Sequence, residues 1–267
     1  MRANASIRLG TARCGPFLYN PNDLYIGRAI ELYGEAHELE LEFLRSLCGA
    51  GSYVFDAGAN IGDHTVPLAQ HVGERGRVFA FEPQRVVFQM LCGNVALAGL
   101  VNVETYQAAL GAELGSVVIP EIDYGHEANY GGVEVGQFAS GRPVPVRTLD
   151  EFLDLPHVDL LKIDVEGMER AVLAGGARFI EAFRPLMYVE NDRLERSAEL
   201  IEHVLSLRYR LFWHLPPLFN PRNFRANSEN VFGNIVAWNM LCVPAETPLE
   251  ITGFQEITDA RDRPFPT

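Results

Sequence analysis

Short apolar runs alternate along the chain with longer segments whose apolar residues recur at helical spacing. The apolar runs that we interpret as strands cover 53–58, 77–83, 102–110, 158–167, 185–191, 209–216 and 234–244. The helical patterns between them cover 84–100, 168–183 and 194–209. A further helix is expected to begin near Thr65, because Pro67 is tolerated only in a first turn. This alternation predicts an α/β fold: a doubly wound, mostly parallel sheet with helices on both faces and ligands beyond the carboxyl ends of its strands.

Pattern and composition divide the chain into three segments. They are an N-terminal extension, a main α/β domain and a C-terminal tail, which we place at 1–50, 51–245 and 246–267. The extension has an irregular lead-in and then the apolar spacing of a helix within 23–48. Within the main domain, 115–120 and 144–149 are predicted to form an antiparallel excursion from the sheet.

The sequence DAGANIG at 56–62 links the first of these main-domain strands to the helix that follows it. It has the pattern D-x-G-x-N-x-G, with the fixed positions Asp56, Gly58, Asn60 and Gly62. Glycines let the backbone turn tightly and approach a ligand, and a helix start offers unpaired N–H groups to an anion. Glu82 ends the second strand, where a carboxylate can accept both hydroxyls of a ribose. We therefore expect a nucleoside to lie across the first two strands.

The nucleoside is expected to be S-adenosylmethionine and not a dinucleotide. The dinucleotide pattern is G-x-G-x-x-G with a pyrophosphate on the helix, whereas here Asn60 takes the middle position and Asp56 would repel a pyrophosphate. An acid for an ammonium and N–H groups for a carboxylate suit the amino-acid end of S-adenosylmethionine. His64, at the helix start, is a further candidate contact to that end. An NAD-dependent oxidoreductase or epimerase stays open as an alternative, provided that the loop accepts a pyrophosphate.

Four motifs in order resemble the FkbM-type methyltransferases, a branch of the class I enzymes that use S-adenosylmethionine: FDAGANIGDHT, VFAFEPQ, LLKIDVEGMERAVLAGG and RPLMYVEN. With the similar lead-in DLYIGRAIELYGE, the resemblance covers roughly residues 17 to 215. It implies a seven-stranded Rossmann-like sheet whose last strand is antiparallel, and methyl transfer to a hydroxyl of a sugar, glycan or polyketide-derived ring. By position it implies a cofactor loop at Asp56, Gly58, Asn60 and Gly62, a ribose acid at Glu82, and adenine neighbours at Ala108 and Ala109. The chain departs from the usual family pattern at Ala57 and Ala98, and neither change affects the expected cofactor site.

Polar residues end two later strands that should be neighbours in the sheet. Asp164 and Glu166 are two positions apart and so share a side, while Glu190 and Asn191 end the next strand. An acceptor hydroxyl must lose a proton, so a base or a metal is expected, and Asp164 or Glu166 is a candidate to position the acceptor directly. Because carboxylate and amide oxygens suit Mg²⁺ or another divalent cation, Asp164, Glu190 and Asn191 are also a candidate metal site. A purely structural alternative is that Glu190 and Asp192 cap the next helix. His214, after the sixth strand, is a candidate general base.

Composition narrows the class of partner. The 267 residues carry a net charge of −13, which argues against a nucleic-acid backbone as partner. No apolar run approaches the length of a membrane span. The four cysteines lie far apart without a C-x-x-C pair, which favours a reduced, cytoplasmic protein. An N-methyltransferase and a non-catalytic cofactor-binding scaffold stay open as alternatives, and the sequence leaves open whether the chain forms a homo-oligomer.

Overall fold

The computed structural model describes residues 7–132, 138 and 140–264. The helices are α1 (Ile26–Tyr33), α2 (Glu38–Leu47), α3 (Thr65–Val72), α4 (Arg85–Leu97), α5 (Glu169–Ala174), α6 (Ala177–Phe183) and α7 (Leu194–Ser206), with a 3₁₀ turn at Leu149–Phe152. The strands are β1 (Arg8–Ala12), β2 (Gly15–Tyr19), β3 (Tyr53–Ala57), β4 (Arg77–Phe81), β5 (Val103–Tyr106), β6 (Ala109–Leu110), β7 (Gly115–Ile119), β8 (Arg142–Arg147), β9 (Leu160–Ile163), β10 (Leu186–Glu190), β11 (Tyr209–His214), β12 (Asn239–Pro244) and β13 (Gln255–Ile257).

An eight-stranded sheet forms the centre of the protein, in the order β13-β11-β12-β10-β9-β3-β4-β5. Six strands run parallel, whereas β12 and β13 run antiparallel to their neighbours. The predicted α/β class is confirmed, and each of the seven predicted strands has a counterpart. The expected number of seven is one too low, because β13 from the C-terminal tail adds an edge strand. From β3 the chain builds outward to β4 and β5 and later to β9 and β10, so the switch point lies between β3 and β9.

Both faces of the sheet are buried, which explains why its strands are apolar at successive positions and not only at alternate ones. In β3, Val54 packs in a cluster with Leu41 of α2 and Leu68 of α3. Its neighbour Phe55 points to the other face and joins the cluster of Phe179 from α6. Successive side chains of a strand point to opposite faces of the sheet and therefore pack in two separate cores, one under each layer of helices.

The N-terminal segment differs from the predicted single helix. The pattern at 23–48 forms two helices, α1 and α2, because the chain turns through left-handed conformations at Gly34 (φ 69°) and His37 (φ 53°). The lead-in is not irregular either, since β1 and β2 form an antiparallel hairpin. Buried residues of this segment, such as Phe17 and Tyr33, share a cluster with Leu91 of α4.

The other predicted elements are present in the structure, with one local difference. The antiparallel excursion is confirmed as β7 and β8, with β6 beside them. The predicted helix at 168–183 is divided into α5 and α6. The helix near Thr65 begins there as expected, with Pro67 in its first turn.

The division of the chain into 1–50, 51–245 and 246–267 stays a prediction, and residues 1–6 and 265–267 lie outside the described residues. Within the described part of the chain, every helix is too short or too polar to cross a bilayer.

Candidate active site

A cavity of about 350 Å³ opens at the carboxyl edge of the sheet, at the switch point between β3 and β9. Its floor comes from strand ends: Gly58 after β3, Glu82 after β4, Asp164 after β9 and Glu190 in β10. Its walls come from the N-terminal segment, the excursion and the connection between β11 and β12, which contribute Tyr25, Ile26, His37, Asn129, Gly131, Gly132, Leu218, Ile235, Val236, Ala237 and Trp238. The volume lies within the range of small-molecule sites, about 300–1,000 Å³.

The glycine loop turns sharply at the floor of this cavity. Gly58 has a φ of 82° and Asn60 a φ of 47°, and both line the cavity. A β-carbon on Gly58 would lie 1.7 Å from the carbonyl oxygen of Asp164, so glycine is needed where the loops after β3 and β9 meet. Gly62 is placed differently: it faces Leu91 of α4 and does not line the cavity.

Glu82 lies in the cavity with its carboxylate oriented by two backbone amides. The N–H of Asn60 donates to Oε2 at 3.1 Å, and the N–H of Gln84 donates to Oε1 at 2.7 Å. Burial raises the pKa of Glu82 to about 7, and repulsion by the carboxylates of Asp56 and Asp164 adds to the shift. Each oxygen can accept a second hydrogen bond, so the carboxylate can receive hydroxyl groups of a ligand.

The far end of the cavity, beyond Glu82, is apolar and is tied to the excursion. Ala108 and Ala109 line it, each nearly without exposure. The side-chain amide of Gln84 donates to the carbonyl oxygen of Tyr130 at 2.8 Å and accepts from the hydroxyl of Tyr124 at 3.1 Å. The excursion is thereby held against the end of β4, and Ala108 and Ala109 form an apolar wall of the cavity.

Asp56 lies beneath the cavity and does not line it, which corrects the sequence expectation. Its side chain is fully buried, accepts a hydrogen bond from the hydroxyl of Thr65 at 2.6 Å and lies 3.3 Å from Nζ of Lys162. Burial by itself lowers the pKa of Lys162, but the carboxylates of Asp164 and Asp56 outweigh it and raise that pKa. The cation that Asp56 meets is therefore Lys162 and not the ammonium of a ligand.

His64 lines the cavity, but both of its ring nitrogens are engaged by protein carboxylates. Nδ1 lies 3.3 Å from Asp63, and Nε2 lies 2.9 Å from Glu40 in an ion-pair contact without hydrogen-bond alignment. Burial and Lys162 lower the pKa of His64, but Glu40 and Asp63 outweigh them and raise it to about 10. Burial raises the pKa of Glu40, yet His64 brings it down to about 2. The imidazolium therefore links α2 to the glycine loop and offers no free nitrogen to a ligand.

Three carboxylates meet at the ends of β9 and β10. Asp164, Glu166 and Glu190 each place an oxygen within 4.8 Å of the others. Burial and repulsion by Asp164 raise the pKa of Glu166 to about 8, although Glu166 is ion-paired with Arg193. Burial and Asp164 also raise the pKa of Glu190 well above its usual value. The structure thus groups Asp164 and Glu190 with Glu166, where the sequence placed Asn191.

Besides Asp56 and Gly62, two more predicted site residues, Asn191 and His214, lie outside the cavity. Asn191 is buried, its side-chain amide donates to the sulfur of Met240 at 3.2 Å, and it lines a second cavity beside α5 and α7. Nδ1 of His214 lies 2.7 Å from the hydroxyl of Tyr188, and its ring lies 4.4 Å from that of Phe43. The predicted roles of Asn191 as a metal ligand and of His214 as a general base do not fit these positions, because strand ends direct both side chains away from the floor.

Sequence reasoning missed two residues that the structure places at the cavity, His37 and Asp63. Asp63 comes directly after the glycine loop, so its position in the sequence could have marked it as a cavity residue. His37 stands 26 residues earlier, inside a segment that looked like one continuous helix. Only the break between α1 and α2 brings it to the loop.

The strand order, the glycine loop after β3 and the acid after β4 together define the Rossmann-like fold class of the class I methyltransferases. The chain belongs to the methyltransferase FkbM domain family, whose model matches residues 56–212. The N-terminal segment that walls the cavity lies outside the matched range.

Two similar proteins are also named methyltransferases. The chain is 31% identical over 146 residues to "Methyltransferase 1" of Beauveria bassiana (strain ARSEF 2860), covering 46% of this chain and 58% of that protein. It is 29% identical over 155 residues to "Methyltransferase sdnD" of Sordaria araneosa, covering 46% and 60%. The match therefore spans about six-tenths of the length of these relatives. The crystal structure of methyltransferase FkbM from Methylobacillus flagellatus KT matches with a TM-score of 0.50 and 18% identity over 73% of this chain and 44% of that one, which shows the fold.

Proposed function

We propose that the protein is an S-adenosylmethionine-dependent methyltransferase that methylates a hydroxyl of a sugar, a glycan or another natural-product-like acceptor. The observation that carries the proposal is the position of Glu82. Its carboxylate lies in the cavity, one strand away from the glycine loop, and keeps hydrogen-bonding capacity for two hydroxyls. Membership of the methyltransferase FkbM domain family supports the same activity.

The cavity residues suit the parts of this cofactor in order. Glu82 would accept the ribose hydroxyls, and the apolar wall at Ala108 and Ala109 would lie against adenine. The loop at Gly58 and Asn60 would pass under the amino-acid end. When bound, the cofactor supplies a methyl group on a positively charged sulfur. The protein's part is to orient an acceptor oxygen toward that group and to accept its proton.

The acidic cluster suits an acceptor rich in hydroxyl groups. Because burial raises the pKa of Glu166 to about 8, this group holds a proton near neutral pH and can donate as well as accept hydrogen bonds. Burial and Asp164 raise the pKa of Glu190 in the same direction. Asp164 would orient the acceptor between them. A divalent cation on the three carboxylates, which lie within 4.8 Å of one another, is the competing role. Turnover that survives a chelator would exclude the cation, and turnover that Mg²⁺ restores would support it.

Calorimetry with S-adenosylmethionine, S-adenosylhomocysteine and NAD separates the candidate cofactors. Binding of the two adenosyl compounds without NAD is expected, and binding of NAD alone would refute the proposal. Release of S-adenosylhomocysteine is then measured with a hydroxyl panel (methyl glucoside, a cello-oligosaccharide, a catechol) and with an amino sugar. Turnover of the amine alone would indicate N-methylation, whereas binding without any turnover would indicate a scaffold.

We further propose a cytoplasmic location. All four cysteines are free, as expected in a reducing compartment. Cell fractionation tests the location, and a protein recovered with oxidised thiols from an external fraction would contradict it. A homo-oligomer stays a prediction that sedimentation can test.

A further inference from the structure

An aspartate–histidine pair lines the cavity on the side of the N-terminal segment. Nδ1 of His37 lies 2.8 Å from Oδ2 of Asp63. Asp63 directly follows the glycine loop, and His37 stands at the start of α2. The pair therefore lines the cavity beside the loop that would carry the amino-acid end of the cofactor. His37 lies outside the residues that match the family model, 56–212.

A second histidine, His64, also contacts Asp63. Asp63 is buried, and Nδ1 of His64 lies 3.3 Å from the same carboxylate oxygen that contacts His37. The rings of His37 and His64 stack with centroids 5.1 Å apart. Burial raises the pKa of Asp63, but hydrogen bonds from His37 and His64 outweigh it and lower the pKa below its usual range. The pair therefore contains a fixed, ionised carboxylate.

The ionised carboxylate sets the tautomer of His37. A carboxylate only accepts hydrogen bonds, so Nδ1 of His37 must carry a hydrogen when it donates to Asp63. In the neutral ring Nε2 is then the unprotonated nitrogen, and no described residue donates to it. The His37 side chain keeps 21% of its exposure, against 5% for His64. His37 lines the cavity, so its partly exposed ring can meet a ligand there, as in other sites where an aspartate orients a histidine.

The other carboxyl groups of the cavity are less suited to take a proton. Burial and repulsion by Asp164 raise the pKa of Glu166 to about 8, so it holds its own proton near neutral pH, and the same causes raise the pKa of Glu190. Asp164 accepts a hydrogen bond from Lys162 at 3.3 Å, which weakens it as a base. Among these groups, His37 offers the unoccupied acceptor nitrogen.

We infer that His37 is the general base of the reaction and that Asp63 is its positioning residue. This inference rests on the proposed methyltransferase function. The acceptor O–H bond breaks, and its proton moves to Nε2 of His37. The freed electron pair forms the O–C bond to the methyl carbon, while the C–S bond breaks and leaves its pair on sulfur. The sulfonium charge is thereby replaced by the charge of an imidazolium, which Asp63 stabilises, and the proton later leaves to water.

The first test reads the tautomer and needs no turnover. Long-range ¹H–¹⁵N spectra of histidine-labelled protein at pH 8 report which ring nitrogen carries hydrogen, and His37→Gln assigns the signal. We expect the hydrogen on Nδ1 of His37 in the native protein and a loss of that preference in Asp63→Asn. A ring with its hydrogen on Nε2 in the native protein would overturn the inference.

The second test compares turnover with cofactor affinity in three variants. His37→Ala should lower S-adenosylhomocysteine release from the hydroxyl panel by about a hundredfold or more, with S-adenosylhomocysteine affinity within about threefold. Added imidazole should restore part of the rate in His37→Ala, and Asp63→Asn should lose rate without a matching loss of affinity. His157→Ala is the matched control, because His157 lies 3.4 Å from Asp159 in an exposed pair at the opposite edge of the sheet.

The outcomes separate the inference from the proposed function. Failure of the native protein to bind S-adenosylhomocysteine would refute the proposed function itself. Native binding with His37→Ala turning over within threefold of normal would overturn only the inference. If rate and affinity fall together in His37→Ala, without rescue by imidazole, His37 only supports the fold. If the native protein turns over none of the hydroxyl compounds, the role of His37 as a base is also overturned.

Discussion

Cofactor affinity should rise with pH through neutrality because of Glu82. Its carboxyl group is buried and has a pKa of about 7 in the free protein. Ribose hydroxyls donate hydrogen bonds, so they favour the ionised carboxylate, and binding should be strongest above that pKa. The ionised fraction rises from about 9% at pH 6 to about 91% at pH 8, so the affinity should rise about tenfold over this interval.

Calorimetry with S-adenosylhomocysteine at pH 6, 7 and 8 and constant ionic strength measures this rise. This ligand lacks the sulfonium charge, so attraction to other carboxylates contributes less. Glu82→Gln should bind about tenfold more weakly at pH 8 and show no rise. Glu166→Gln is the matched control in the same cavity and should keep the rise. An affinity that is flat or falls with pH in the native protein, or a full rise in Glu82→Gln, would refute the reasoning.

Three further predictions concern the charges and the backbone under the cavity. Lys162→Met should lower the free energy of unfolding by about 3–5 kcal/mol in urea titration, because Asp56 is fully buried; a loss under about 1 kcal/mol would contradict this. Gly58→Ala should lower the melting temperature sharply, since its β-carbon would lie 1.7 Å from a backbone oxygen, and an unchanged melting temperature would show that the loops separate freely. Asp164→Asn should reduce turnover more than S-adenosylhomocysteine affinity, whereas equal losses would assign it to cofactor binding or folding.

Much of the fold could be predicted because it depends on local pattern. The seven apolar runs and the helix that begins at Thr65 follow from side-chain period and from the position of Pro67, and the structure has them. The glycine loop and Glu82 were found for the same reason, since each directly follows a strand and strand ends meet at one edge. The prediction of a single helix within 23–48 was wrong because the backbone turns left-handed at Gly34 and His37 and divides the segment into α1 and α2.

The site depends on contacts that no local pattern contains. Asp56 looked like a ligand contact until folding placed Lys162, from another strand, 3.3 Å away. His37 fell within a predicted helix and had no assigned role, and only the break before α2 brings it within 2.8 Å of Asp63. By itself the sequence determined the elements, their order and the edge at which a ligand binds, because these follow from periods of two and 3.6 residues. Only the tertiary structure decided which charges neutralise one another and which remain in the cavity, because electrostatic pairing depends on distance in space and not on separation along the chain.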